Sequence, residues 1–306
     1  MLSAAAVSLA GLLYERAAER RDRGRFPPPG RMVPVAGTLL HIHDSGGPGI
    51  SIVLESGIAG PSVAWFTVAE LLAPFARVVR YDRAGLGWSG PPRTPRTPSN
   101  LAGELRDLLQ QAAVPAPYLL VAHSFGGLIA RQFALAYPEL TQGVVFADAL
   151  PAVPRISSRM LRRSIRLLRC AAFLARFGLL RPLLAKRAFL ARLLGTAMGG
   201  RTKRWIEEAR FEFNKLPPEA LPALFAQWAN PEFYRTVALT LEAIPQFPPG
   251  VLPVPAIALC SDYDSAQGHP GARYQRIENS GHWIQLDQPG AIIQAVRTCH
   301  NAHEGV

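Results

Sequence analysis

The sequence predicts an α/β protein, a mainly parallel sheet with helices on both faces and an inserted helical lid. Three observations predict it. Short apolar, β-branched runs alternate with segments of helical spacing. At 306 residues and 49% hydrophobic content, the chain is large enough to bury one full core and carry an insertion. From about 152 to 250 the alternation breaks off and resumes afterwards. No internal repeat is visible.

Residues 1–30 read as an arm. Met1 to Leu13 holds only apolar, small and Ser residues and is too short for the ~20 residues of a bilayer span. No Lys or Arg precedes this run and no convincing cleavage site follows it, so a secretory signal is not expected. A cytoplasmic protein, with membrane association left open, is the expectation. Glu15 to Arg25 is densely charged and ends at the stiff connector Phe26-Pro27-Pro28-Pro29-Gly30.

The core is expected over 31–151 and 251–306. His41 and His43 alternate with Leu40 and Ile42, which puts both histidines on the solvent face of an early strand and argues against a metal site. Ser51 to Glu55 has the β-branched, apolar centre of a strand, and Arg77 to Tyr81 is another. Pro98 to Ala113 is helical in spacing. Tyr118 to Ala122, bounded upstream by Pro115 and Pro117, is a buried strand, and Leu128 to Tyr137 is the helix after it. Val144 to Asp148, Ala256 to Cys260 and Tyr274 to Ile277 complete the strands, and Asp287-Gln288-Pro289 opens a last helix over Gly290 to Cys299.

Residues 152–250 are the expected lid. Leu, Phe, Ala and Arg dominate, punctuated by Gly195, Gly199-Gly200 and Pro217-Pro218, which predicts several short helices. Pro151 to Ile206 contains 14 Lys and Arg and no acid, against a whole-chain net charge of +11, so the basicity belongs to this segment. Its cations interleave with Leu, Ile and Phe without any nucleic-acid reading motif, and nucleic acid is not expected as a partner. A basic, apolar-faced helix fits an anionic membrane surface, with the N-terminal arm beside it. Cys170, Cys260 and Cys299 are scattered, giving neither a disulfide framework nor metal spacing. No cofactor is expected.

The chemistry centres on Ala122-His123-Ser124-Phe125-Gly126-Gly127, where a serine sits on the bend between a strand and a helix. Small residues two places either side, Ala122 and Gly126, permit a sharp turn that exposes the hydroxyl, a loosened G-x-S-x-G elbow. A serine nucleophile needs a base and the base an orienting acid. Glu278-Asn279-Ser280-Gly281-His282-Trp283 presents His282 on a loop after a strand, and Ser261-Asp262-Tyr263-Asp264 delivers an acid to the end of another. Asp264 is the preferred acid, with Asp148, also at a strand end, as its rival. Gly57 and Gly60 let the loop after Ser51 to Glu55 approach a substrate closely, so the Ile58 and Phe125 amides are the candidate oxyanion donors. Trp65, Trp88 and Trp283, with Phe125, are candidates for an apolar pocket.

Taken together, these pieces resemble the serine hydrolases of the α/β-hydrolase superfamily, in the pattern of bacterial esterases and proline-iminopeptidase-like members. Tyr81-Asp82-Arg83-Ala84-Gly85-Leu86-Gly87-Trp88-Ser89 is similar to a turn of that family, as are Gly281-His282 and Asp287-x-Pro289. The resemblance runs from about Met32 to the C-terminus apart from the insertion. Ala122 stands where the family usually has Gly, and Ser56-Gly57 where His-Gly is common. The resemblance implies hydrolysis of a small-molecule carboxylic ester through an acyl-enzyme, with Ser124, Asp264 and His282 as the triad. Two alternatives stay open: an aminopeptidase or amidase in which Glu207, Glu208 or Glu212 binds a substrate ammonium, and a non-catalytic ligand- or membrane-binding member of the fold.

Overall fold

Strands that are apolar on both faces require a sheet covered twice. The computed structural model, which describes residues 4–150, 157–185, 215, 216, 218, 220–244, 251–261 and 269–304, contains such a sheet. Its strands are β1 (Arg31–Val35), β2 (Thr38–Asp44), β3 (Ser51–Glu55), β4 (Arg77–Tyr81), β5 (Tyr118–His123), β6 (Thr141–Ala147), β7 (Ala256–Cys260) and β8 (Arg273–Arg276). They lie in the order β1-β2-β4-β3-β5-β6-β7-β8. The β1–β2 and β2–β4 pairs are antiparallel, and every later pair is parallel.

The described helices are α1 (Ala4–Arg25), α2 (Phe66–Leu72), α3 (Pro98–Gln111), α4 (Gly126–Ala136), α5 (Ser158–Arg176), α6 (Leu180–Ala185), α7 (Leu221–Ala229), α8 (Pro231–Ala243), α9 (Ile284–Asp287) and α10 (Pro289–Glu304). Successive strand residues point to opposite faces. Val53, Val79, Leu120 and Val144 therefore join one core with Leu105 and Leu108 of α3 and Phe133 of α4. Ile52, Val78, Leu119 and Val145 join the other with Val68 and Leu72 of α2 and Ile292 and Val296 of α10. Local chemistry sets the helix starts: Thr97 Oγ1 accepts from Asn100 N and Asn230 Oδ1 from Glu232 N at 2.8 Å, each followed by a proline at the first helical position.

Between β6 and β7 the described residues form α5 to α8. The row Leu161, Ile165 and Leu168 of α5 is half-buried, and α5 packs on α8. The apolar and charged halves of the arm form one helix, α1, which lies against this insertion. Arg181 of α6 donates to both carboxylate oxygens of Glu15 at 2.8 Å and to Asp22 at 2.5 Å. No helix among the described residues is long and apolar enough to cross a membrane.

One strand reading needs correction. His41 does not face solvent: it is 0% exposed, and its Nδ1 pairs with Asp82 Oδ2 at 2.8 Å. The loop after β4 folds back over β2, setting Trp88 4.9 Å from the His41 ring. Alternation alone could not anticipate that cover. His43 is half-buried, and desolvation lowers its pKa.

Candidate active site

Parallel strands that start at one edge end together at the other, and crevices form where successive connections leave in opposite directions. Here β3 connects to β4 on one side while β5 lies on the other. The register pairs Glu55 with Ala122, His123 with Ala147, and Ala147 with Leu259. The loops after β3, β5, β6 and β7 thus leave the sheet side by side.

Ser124 follows β5 with φ of 52°, a left-handed conformation that a non-glycine residue holds only when its surroundings enforce it. The enforcement is visible in the hydrogen bonds. Ser124 N donates to Ala147 O at 3.3 Å, while Ser124 O accepts from Gly127 N at 3.1 Å and Leu150 N at 2.9 Å. A Cβ on Gly126 would stand 2.6 Å from Ser56 O, so the turn closes this tightly only with glycine there. Ser124 is the one residue from Tyr118 to Arg131 that is not buried. The α4 helix begins immediately after it and directs its positive end to the same place.

His282 lies on the loop after β8 and carries a carboxylate partner. Its Nδ1 stands 2.6 Å from Asp148 Oδ2. Asp148 follows β6, is 4% exposed, and accepts from Ser261 N on its other oxygen at 3.1 Å. Asp264, the preferred acid from the sequence, lies outside the described residues, as do Asp262, Glu207, Glu208 and Glu212. His123 supports the same loop. Its Nε2 meets His282 O at 2.9 Å, so the ring donates there as the neutral Nε2–H tautomer. Burial, with the nearby His282, lowers its pKa to about 3. The His123 ring stands 4.7 Å from that of His282 and 4.9 Å from that of Trp283.

The loop after β3 lies against the serine. A Cβ on Gly57 would be 3.4 Å from Ser124 Cβ and 3.2 Å from His123 Nδ1. Ser56, where the resembled family often has His, fills its place by accepting from Trp65 Nε1 at 3.1 Å and donating to Pro61 O at 3.3 Å. Beneath the loop sits an ion pair that sequence reasoning missed. Arg83 and Glu55 are in contact with side chains 6% and 1% exposed, and Tyr81 OH also donates to Glu55. Burial and the Glu55 carboxylate push the Tyr81 phenol well up, keeping it a donor. The Arg83 guanidinium donates to Ser56 O at 2.7 Å, to Gly57 O, and to Ile58 O at 3.2 Å. A trans peptide holds its C=O and N–H on opposite sides. With the Gly57 carbonyl on Arg83, the Ile58 N–H therefore points away from the guanidinium. The signal in the sequence was a lone Glu ending an otherwise apolar strand and a lone Arg in the turn after β4.

The tryptophans separate. Trp65 is fully buried beneath the loop, and Trp88 donates to Phe26 O at 2.9 Å, tying the arm to the core. Trp283 stands beside His123 and packs with Ala64, Leu216 and Leu224. Phe125 is buried, and half-buried Ile58, Leu150 and Leu241 of α8 pack around its cluster. Among the described residues no three His, Cys, Asp or Glu side chains gather as metal ligands.

A family profile described as the alpha/beta hydrolase family matches residues 39–295. A segment of 94 residues is 42% identical to an AB hydrolase superfamily protein of Gibberella zeae, covering 30% of this chain and 29% of that protein. The match therefore spans less than a third of that relative's own length. The solved structure of Cfl2 from Burkholderia cenocepacia is 27% identical, covering 88% of this chain and 94% of that one, with a TM-score of 0.56. A thermophilic esterase from Thermogutta terrifontis is 20% identical, covering 89% and 98%, with a TM-score of 0.64, a likeness of fold alone.

Proposed function

Because the chain belongs to the α/β-hydrolase family, we propose that it is a serine hydrolase that cleaves carboxylic esters through an acyl-enzyme. The observation that carries this reading is His282 Nδ1 on Asp148 at 2.6 Å, at the sheet edge where Ser124 is held in its left-handed elbow. Ser124 Oγ attacks the ester carbonyl carbon while His282 Nε2 takes its proton. The tetrahedral intermediate collapses with return of that proton to the leaving alcohol, and water then cleaves the acyl-enzyme by the same route. Asp148 takes the part of the acid in this reading, because its contact with His282 Nδ1 favours the tautomer with Nδ1 protonated and Nε2 free to act as base. The Ile58 and Phe125 amides hold the oxyanion, with Arg83 as the positioning residue that aims the first.

The helices between β6 and β7 serve as the lid. Packing of Leu241 and Ile244 of that insertion with Phe125 and Ile58 supports an apolar acyl pocket under it. Labelling with a fluorophosphonate, followed by mapping of the adduct, tests the nucleophile: an adduct on Ser124 is expected, and its absence refutes the assignment. Turnover of p-nitrophenyl acyl esters beside prolyl- and alanyl-naphthylamides tests the substrate class. Strong amide turnover with negligible ester turnover would reject the ester.

A further inference from the structure

Outside this site, exposed apolar side chains gather at one place. Val7, Leu9, Leu13 and Tyr14 of α1 are 58%, 57%, 56% and 51% exposed, and Phe173 of α5 and Leu179 just after it are 62% and 51%. The two stretches adjoin. A Cβ on Gly11 would stand 2.9 Å from Phe177 O, and one on Gly178 would stand 2.4 Å from Tyr14 Cδ1. The inner row of α5 is already spent on α8, so this is the outer face of the insertion.

The same two helices carry exposed cations. Arg159, Arg162, Arg163, Arg166 and Arg176 of α5 are exposed, as are Arg16, Arg20 and Arg21 of α1. Among the described residues, Glu15 and Asp22 of α1 pair with Arg181, and Glu242 of α8 with Arg169 at 2.6 Å. Glu19 is half-buried. A second copy of this face would set arginine against arginine. A nucleic acid would leave Val7, Leu9 and Leu13 in water. An anionic bilayer satisfies both features, with phosphates for the guanidinium groups and an acyl region for the aliphatic turns of α1.

We propose that the joined outer face of α1 and α5 docks reversibly on anionic lipid bilayers. It does not depend on the hydrolytic reading, since Ser124→Ala must bind as well as the wild type. The test is co-sedimentation with vesicles of phosphatidylcholine alone and of phosphatidylcholine mixed equally with phosphatidylglycerol. Binding is expected only to the mixed vesicles, and it falls as salt rises toward 1 M, where the screening length is about 3 Å. Each arginine near such a surface contributes about fivefold, so R162Q/R163Q/R166Q loses on the order of 100-fold in partitioning. L9S/L13S, which alters only exposed side chains, also weakens binding while melting like the wild type. Absence of binding to either vesicle, equal binding to both, or undiminished binding by the arginine variant overturns the proposal. So does self-association that L9S/L13S abolishes without any lipid binding, which would assign the face to a second copy.

Discussion

Replacing Arg83 with Met removes the cation beneath the loop after β3 and, on the proposed mechanism, has two separable consequences. The first is stability. Glu55, 1% exposed and with its pKa already raised by burial, loses the cation that most favours its charged form and keeps Tyr81 as its remaining side-chain donor, and breaking a buried pair in this way costs about 3–5 kcal/mol. That is a large share of the ~5–15 kcal/mol of a typical domain, so a lower urea midpoint is expected in a protein that still folds. The second is catalysis. The carbonyls of Ser56, Gly57 and Ile58 lose their common donor, and the Gly57–Ile58 peptide is no longer held with its N–H turned from Arg83. Loss of one well-aimed oxyanion donor costs about 10²- to 10³-fold in rate. The fall should lie in kcat with KM nearly unchanged, and affinity for a boronic acid that mimics the tetrahedral intermediate should fall in parallel. Glu55→Gln combined with Arg83→Met separates the effects. It removes the stranded charge and keeps an acceptor for Tyr81, so much of the stability returns while kcat stays depressed. If kcat returns with stability to near the wild-type value, Arg83 acts only through the fold and the reasoning is refuted.

Ser124→Ala should abolish ester turnover by several orders of magnitude with folding intact. Asp148→Asn should cost about 10³- to 10⁴-fold through loss of the productive imidazole tautomer, and Asp264→Asn far less; the reverse ranking in a p-nitrophenyl ester assay restores Asp264 as the acid. Gly57→Ala pushes a methyl against His123 Nδ1 and Ser124 Cβ at 3.2 and 3.4 Å, so ester kcat should fall while the melting temperature changes little. His123 and His269 have pKa values lowered to about 3 and about 4, chiefly by burial, below the unfolded value of 6.5. Between those limits the unfolded chain binds more protons, so stability falls with falling pH, by up to about 1.4 kcal/mol per pH unit for each histidine. His123→Asn should flatten the pH dependence of the urea midpoint between about pH 4 and 6; an unchanged slope would mean that His123 titrates alike in both states.

The fold was legible because its signals are local. An apolar run that ends at a proline or glycine marks a strand whatever it packs against, and Ser51 to Glu55, Arg77 to Tyr81 and Ala256 to Cys260 have the bounds their residues suggest. The turn at Ser124 and the loop carrying His282 were legible for a like reason, since each sits in a short pattern that dictates its own backbone path. The carboxylate partner of His282 was not, because in the sequence Asp148 and Asp264 both come shortly after strand-like runs, and Asp264 lies outside the described residues. Which one faces an imidazole more than a hundred residues from Asp148 is a matter of sheet order and loop path. The same limit hid Arg83 and Glu55, 28 residues apart in the chain and joined only by β3 lying beside β4. It also misplaced His41, whose cover comes from the folded-back loop that carries Asp82 and Trp88.

Ile58 follows β3, Ser124 follows β5, Asp148 follows β6, and His282 follows β8, the last strand among the described residues. In chain order the proposed nucleophile, Ser124, is made long before the proposed base, His282, so under that mechanism everything made up to Cys260 carries an unactivated hydroxyl. The proposed mechanism therefore predicts no activity until β8 pairs with β7 and the following loop settles onto His123 and Asp148. In a refolding experiment, appearance of product times that final annealing and not the earlier collapse. Under the proposed mechanism, hydrolysis would serve as a clock for the completed sheet.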